Sequence, residues 1–292
     1  MSWVALPGSR SFRWRGMRQR GLTLLELVVV LTVLAAVAGI LVPMLPNLLR
    51  KAHKSVDATQ SGELAKALQM YQAQFTSYPD NFDLLTDGTT FPAYLPADGG
   101  AFGGFVEAAS LTADEVKALR RVGIQSVQKL AADRTPNGFH PTRNPYAGSI
   151  TTDAVSLDSA GTTTPTVKFA VIDPKNTGAT SYAAILAANP SFLQTVINAD
   201  PTARYVVFGV GPRCSMVGQV IQDAPMSTPQ KKTFTPDNMY ARVGVIFKVS
   251  GVEVERSERA RFVAAVALED DELETTEKDV TGFYEVSADP RN

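Results

Sequence analysis

The 292-residue chain has one cysteine, Cys214, and two histidines, His53 and His140. A single cysteine excludes any disulfide within the chain. A domain of this size needs none, so both a reducing and an oxidising compartment remain open. Two histidines far apart in sequence give histidine-based metal or triad chemistry little to build on. No internal repeat is present. A net charge of −1 supplies no bulk attraction to nucleic acid or anionic lipid. Two local absences say more. Residues 1–21 hold five arginines, Arg10, Arg13, Arg15, Arg18 and Arg20, and no acid; from Leu27 to Leu49 there is no ionisable residue at all.

An uncharged apolar run of this length meets the roughly 20 residues that span a bilayer as a helix. The arginines before it favour a cytoplasmic N-terminus. Arg50, Lys51 and Lys54 follow it, so five cations before the run oppose three after it and the bias is small. Ala35, Ala36 and Ala38 lie inside the run, and no small-x-small site followed by a polar start closes it, unlike a cleaved secretory signal. At its start stands a lone carboxylate, Glu26. A carboxylate at the edge of a bilayer core costs a few kcal/mol unless something pairs with it. Either Glu26 has a cationic partner, or it sits at the headgroup boundary.

The stretch "GLTLLEL" at residues 21–27 resembles the cleavage and methylation motif of type IV pilins and type II secretion pseudopilins. The resemblance implies that prepilin peptidase cuts after Gly21 and methylates the new N-terminus on Leu22, where phenylalanine is commoner in the family. It implies that Glu26, fifth residue of the mature chain, is the glutamate used in subunit assembly, and that Pro43, twenty-second, is the proline many pilins carry there. Cleavage creates an α-ammonium on Leu22, one helical turn from Glu26. The resemblance implies that in a filament the carboxylate meets the Leu22 amine of a neighbouring subunit. Buried in apolar packing, such a pair selects axial register more than it adds stability.

Beyond the apolar run, Leu45, Leu48, Leu49, Ala52, Val56, Leu64, Leu68, Tyr71 and Phe75 recur mostly at spacings of three and four, which predicts an amphipathic helix with one buried stripe. Continued from Leu22 to Phe75 it would be about 80 Å long at about 1.5 Å per residue. Pro43 and Pro46 each remove a helical hydrogen bond, which fits a kink, a bilayer exit or both. "FTSYPDNFDLLTDG", residues 75–88, ends the helix at Pro79, and the Tyr-Pro with the Leu-Leu turn after it is similar to the major pseudopilins.

Past about Gly88 the resemblance is no longer residue-specific; it covers less than a quarter of the chain. Residues 111–134 read as two short helices around Val122-Gly123, with a capping box at Thr112 and Glu115. They also look faintly like a helix-hairpin-helix DNA module, with Lys117, Arg120, Arg121 and Lys129 as its cations; a surface helical insertion is the preferred reading. Residues 137–149 form a loop in which His140 has no ligand-spaced partner. "TTPTVKFAVIDP", "ARYVVFGVGP" and "YARVGVIFKVS" read as strands; "RARFVAAVAL" fits strand or helix, and residues 181–198 helix, break, helix. The glycines of "FGVGPRC" fit no phosphate loop, and Cys214 lacks an activating neighbourhood. Pseudopilin heads can carry calcium in a C-terminal loop, which makes Asp270 and Asp271 candidates. The calcium-loop spacing is absent, and a solvated acidic surface is preferred.

The expected fold is α+β and pilin-like: a long N-terminal helix, its first half transmembrane, packed on a mainly antiparallel sheet head with helical insertions. The expected divisions are a leader at 1–21, a transmembrane and filament-core helix at 22–45, its amphipathic continuation at 46–76 and a periplasmic or extracellular head at 77–292. The resemblance implies a structural filament subunit, not an enzyme, made in the inner membrane. Its partners would be prepilin peptidase, other pilin-like subunits and, indirectly, an assembly platform and ATPase; nucleic acid is not expected. The alternatives are a surface pilus for adhesion, motility or DNA uptake, and a head that uses the apolar run only as a tether.

Overall fold

The computed structural model describes residues 23–95, 106–157, 166–174, 203–227, 235–268 and 273–275. The chain divides into two compact units, Met1–Pro46 and Asn47–Asn292. Helix α1 (Leu24–Phe75) is assigned without interruption through Pro43 and Pro46.

Within the second unit, the buried face of α1 is Asp57, Ser61, Leu64, Ala67, Leu68 and Tyr71. This corrects the predicted stripe. Leu64, Leu68 and Tyr71 belong to it, whereas Leu45, Leu48, Val56 and Phe75 are exposed. The gap of eight in the apolar pattern arises because two polar residues occupy buried positions there. Ser61 is accommodated by donating to Asp57 O at 3.0 Å, a helix-internal bond that leaves no hydroxyl unsatisfied. The helix closes where the Thr76 amide donates to Gln72 O at 2.8 Å with Thr76 in the left-handed region at φ 57°, the αL stop. Asp80 then accepts from the amides of Gln125 and Ser126, which fixes the chain leaving α1 onto the sheet.

Nine strands are described: β1 (Phe82–Asp83), β2 (Glu107–Ala109), β3 (Ser126–Gln128), β4 (Ala154–Ser156), β5 (Phe169–Ile172), β6 (Tyr205–Gly209), β7 (Val243–Lys248), β8 (Arg261–Leu268) and β9 (Leu273–Thr275). The order is β4-β3-β1-β6-β7-β8-β9, with β5 between β6 and β2. Only β1 and β3 pair in parallel; the other pairings are antiparallel. Among the described residues, three short helices punctuate the head: α2 (Ala113–Arg120), α3 (Ile150–Asp153) and α4 (Val252–Ser257). The fold is therefore α+β and pilin-like, with a mainly antiparallel sheet. "RARFVAAVAL" is a strand, and residues 181–198 lie outside the described residues.

Strand β6 shows why its sequence is uniformly apolar. Val206 and Phe208 face one core with Leu68, Tyr71 and Phe82; Tyr205 and Val207 face a second with Leu85, Tyr146 and Tyr240. Alternate side chains enter opposite faces, and both faces are covered. Burying each large side chain contributes about 1.5–3 kcal/mol, so β6 is held from both sides.

The second predicted helix of residues 111–134 is instead strand β3. The capping box is present at α2, with Thr112 Oγ1 accepting from the Glu115 amide and Glu115 from the Thr112 amide. The turn that follows packs on the end of α1. Tyr78 N donates to Val122 O at 2.7 Å, and Gly123 has φ 103° against Ser77, where a Cβ would collide. That turn serves the fold, and without a second helix the helix-hairpin-helix reading is excluded.

Candidate functional site

The first described residue, Thr23, caps α1. Its carbonyl accepts from Leu27 N at 3.1 Å and its hydroxyl from Glu26 N at 3.2 Å. This satisfies one of the free amides at a helix start and puts the Glu26 carboxylate in the first turn, where the positive end of the helix favours an anion.

Residues Leu24–Val42 form a 19-residue span of mean hydropathy 2.8, with none of it buried. It is long and apolar enough to cross a membrane. Leu24, Ile40 and Val42 are each more than two-thirds exposed, and the space beside Gly39 is open. Apolar surface on this scale marks a membrane or protein contact. Besides Glu26, the one polar side chain of the span is Thr32, whose hydroxyl donates to Val29 O at 2.8 Å, the way a hydroxyl is satisfied in lipid. Glu26 is exposed, and its carboxylate has no partner among the described residues. Gly21, Leu22, Asp270 and Asp271 lie outside the described residues; Pro43 lies within α1.

The head holds one buried polar centre that the sequence did not announce. Asp83, at the end of β1, is completely buried and accepts from Tyr146 Oη and Tyr240 Oη, each at 2.6 Å. Burial pushes its carboxyl up to about 6, against the opposing pull of the two hydroxyls and of Arg242 and Arg213. Arg213 lies 3.8 Å over the Tyr146 ring and bonds Asp153 at 2.9 Å. A carboxylate held by two phenols and braced by packed arginines is a structural lock with no open face for a substrate. No local pattern foretold it, because its members are separated by 63 and 157 residues.

His140 Nε2 donates to Asp237 Oδ1 at 2.8 Å, and its Nδ1 accepts from the Thr142 and Arg143 amides; it organises its loop. The Cys214 thiol is buried, which pushes it up to about 12 and keeps it unreactive. Among the described residues there is no group of three or more metal-ligating side chains.

The exposed apolar helix with its capped, carboxylate-bearing start is therefore the candidate functional element. The family defined by the prokaryotic N-terminal methylation motif matches residues 16–42. The type II secretion system core protein G of Pectobacterium carotovorum subsp. carotovorum is 36% identical over 98 residues, 32% of this chain and 63% of that protein. Over these residues the chain is similar to the type IV pilin and pseudopilin family. The chain spans under two-thirds of the length of the relative it matches. No solved structure matches it. Its motif begins in the arginine-rich segment and ends one residue before Pro43, so it contains Gly21, Leu22 and Glu26.

Proposed function

We propose that the chain is a structural, non-enzymatic subunit of a helical filament, a pseudopilin of a type II secretion-like system. Residues 1–21 are the leader, and prepilin peptidase cuts between Gly21 and Leu22 and methylates the Leu22 amine. The subunit then waits in the inner membrane as a single-pass protein with its head on the far side. An assembly platform and its ATPase draw it into the filament, where Glu26 meets the Leu22 ammonium of a neighbour and Leu24–Val42 packs among its equivalents. Pro43 loosens the helix where the apolar span ends.

The observation that carries this reading is the unburied 19-residue span whose first turn holds one carboxylate with no partner among the described residues. Lipid would satisfy the leucines and valines, whereas Glu26 inside apolar packing needs a cation. Two measurements test it. Tandem mass spectrometry of the membrane-extracted protein should find an N-terminal peptide beginning at N-methylated Leu22. Glu26→Ala should abolish incorporation into sheared filaments while cleavage continues. An N-terminus that remains near Met1, or a Glu26→Ala chain that assembles normally, returns the apolar run to the role of a tether.

A further inference from the structure

The head carries a polar groove of about 460 Å³ between the end of α1, the end of α2 and α4. Its lining brings together Arg121, Arg259 and Arg261 with Tyr78, Val122 and Phe262. Cations outnumber acids around it. Lys117 and Arg121 share Glu258, and Arg261 and Lys248 share Glu253. Arg259 and Arg256 are exposed and have no acidic partner among the described residues.

The chain as a whole has net charge −1, yet Glu269 to Asp279 contains seven acids and one lysine. Four of those acids, Glu269, Asp270, Asp271 and Glu272, link the last residue of β8 to the first of β9. The groove lies at the other end of β8, beside Arg261, the first of its eight residues. At about 3.4 Å per residue the two ends are roughly 24 Å apart. One strand thus has a cationic end and an anionic end.

A helical filament is built from heterologous contacts, in which two different surfaces of the subunit meet. We infer that the groove lined by Arg121, Arg259 and Arg261 is a head-to-head docking surface whose occupant is the acidic segment 269–272 of a second copy of this chain. The inference rests on the filament reading above. The contact is solvent-exposed, so it sets register and partner choice more than strength, and salt screens it over about 8–10 Å.

The test is disulfide trapping with the full-length chain in intact membranes of cells that assemble it. Cys214 is buried and stays silent. Ser257→Cys marks the groove and Asp271→Cys the acidic segment, each on a separate co-expressed copy, and sheared filaments are imaged in parallel. The expected result is a disulfide-linked dimer when both copies are present and none with either alone. Arg259→Glu should lower its yield about tenfold, and Asp270→Arg on the other copy should restore it. Filaments that form without the dimer overturn the inference and leave the filament reading intact. So does a disulfide that forms only within a doubly substituted chain. If the unaltered chain makes no filaments, both fall.

Discussion

The Tyr240 hydroxyl donates to the Asp83 carboxylate at 2.6 Å across 157 residues of chain, joining the segment before β7 to the short strand after α1 in a completely buried site. Burial raises the Asp83 carboxyl to about 6, above its ordinary value near 4. The folded state therefore holds the proton more tightly than the unfolded one. The associated stability is fully present below about pH 4 and is lost as pH rises through about 6. The unfolding midpoint of the detergent-solubilised chain should fall between pH 5 and pH 7.5. Asp83→Asn should flatten that part of the slope, and an equal slope in both proteins would refute the assignment.

Gly211 and Gly62 should respond oppositely to alanine. A Cβ on Gly211 would run into Asp83 Oδ2 and the Tyr146 hydroxyl, whereas one on Gly62 meets nothing within 4 Å. Gly211→Ala should destabilise the head by at least about 1–3 kcal/mol through overpacking. Gly62→Ala, inside α1, should stabilise it by about 0.5–1 kcal/mol. Chemical denaturation of the two variants decides both.

Arg204 ties three segments together. It reaches Glu115 at 2.7 Å and Asp173 at 2.9 Å, while Glu115 also closes the capping box of α2. Arg204→Ala would leave a nearly buried carboxylate without its cation, at a cost of about 3–5 kcal/mol. Arg204→Lys should recover only part of this, because one ammonium cannot serve both carboxylates in the planar geometry of a guanidinium. A lysine variant as stable as the native chain would contradict this.

Thr23 should be separable from Glu26. Loss of the cap in Thr23→Ala should cost about 1 kcal/mol of helix stability at the start of α1 and speed hydrogen exchange at the Glu26 amide. Thr23→Ser should restore protection. Glu26→Ala removes the carboxylate but not the capping hydroxyl, so its amide should stay protected.

The elements readable from sequence were those whose signals are local. The capping box of α2 needs only Thr112 and Glu115 three residues apart, and strands β5, β6 and β7 announce themselves as β-branched and aromatic runs. Strand β3 did not, because Ser126–Gln128 has no strand signature of its own. It is a strand because β1 lies on one side and β4 on the other. Asp57 and Ser61 misled the helix stripe for a related reason. Polar side chains sit on a buried face only when distant partners or the helix backbone satisfy them, and a periodicity of apolar residues cannot register that. The apolar span was legible from its composition, since an uncharged run of this length carries its own signal.

The packing of Leu64, Leu68 and Tyr71 into the core beneath β6 has a last consequence. Tyr71 also reaches Ser215 at 3.2 Å through its hydroxyl, and Ser215 Oγ accepts from the Asp80 amide at 2.7 Å. A protease that nicked the chain at Ser77 would not shed a free domain, because the severed sheet would lose one wall of its interior. The stretch from Asp57 to Tyr71 is thus masonry of the head itself, and the sheet cannot be let go from it without being undone.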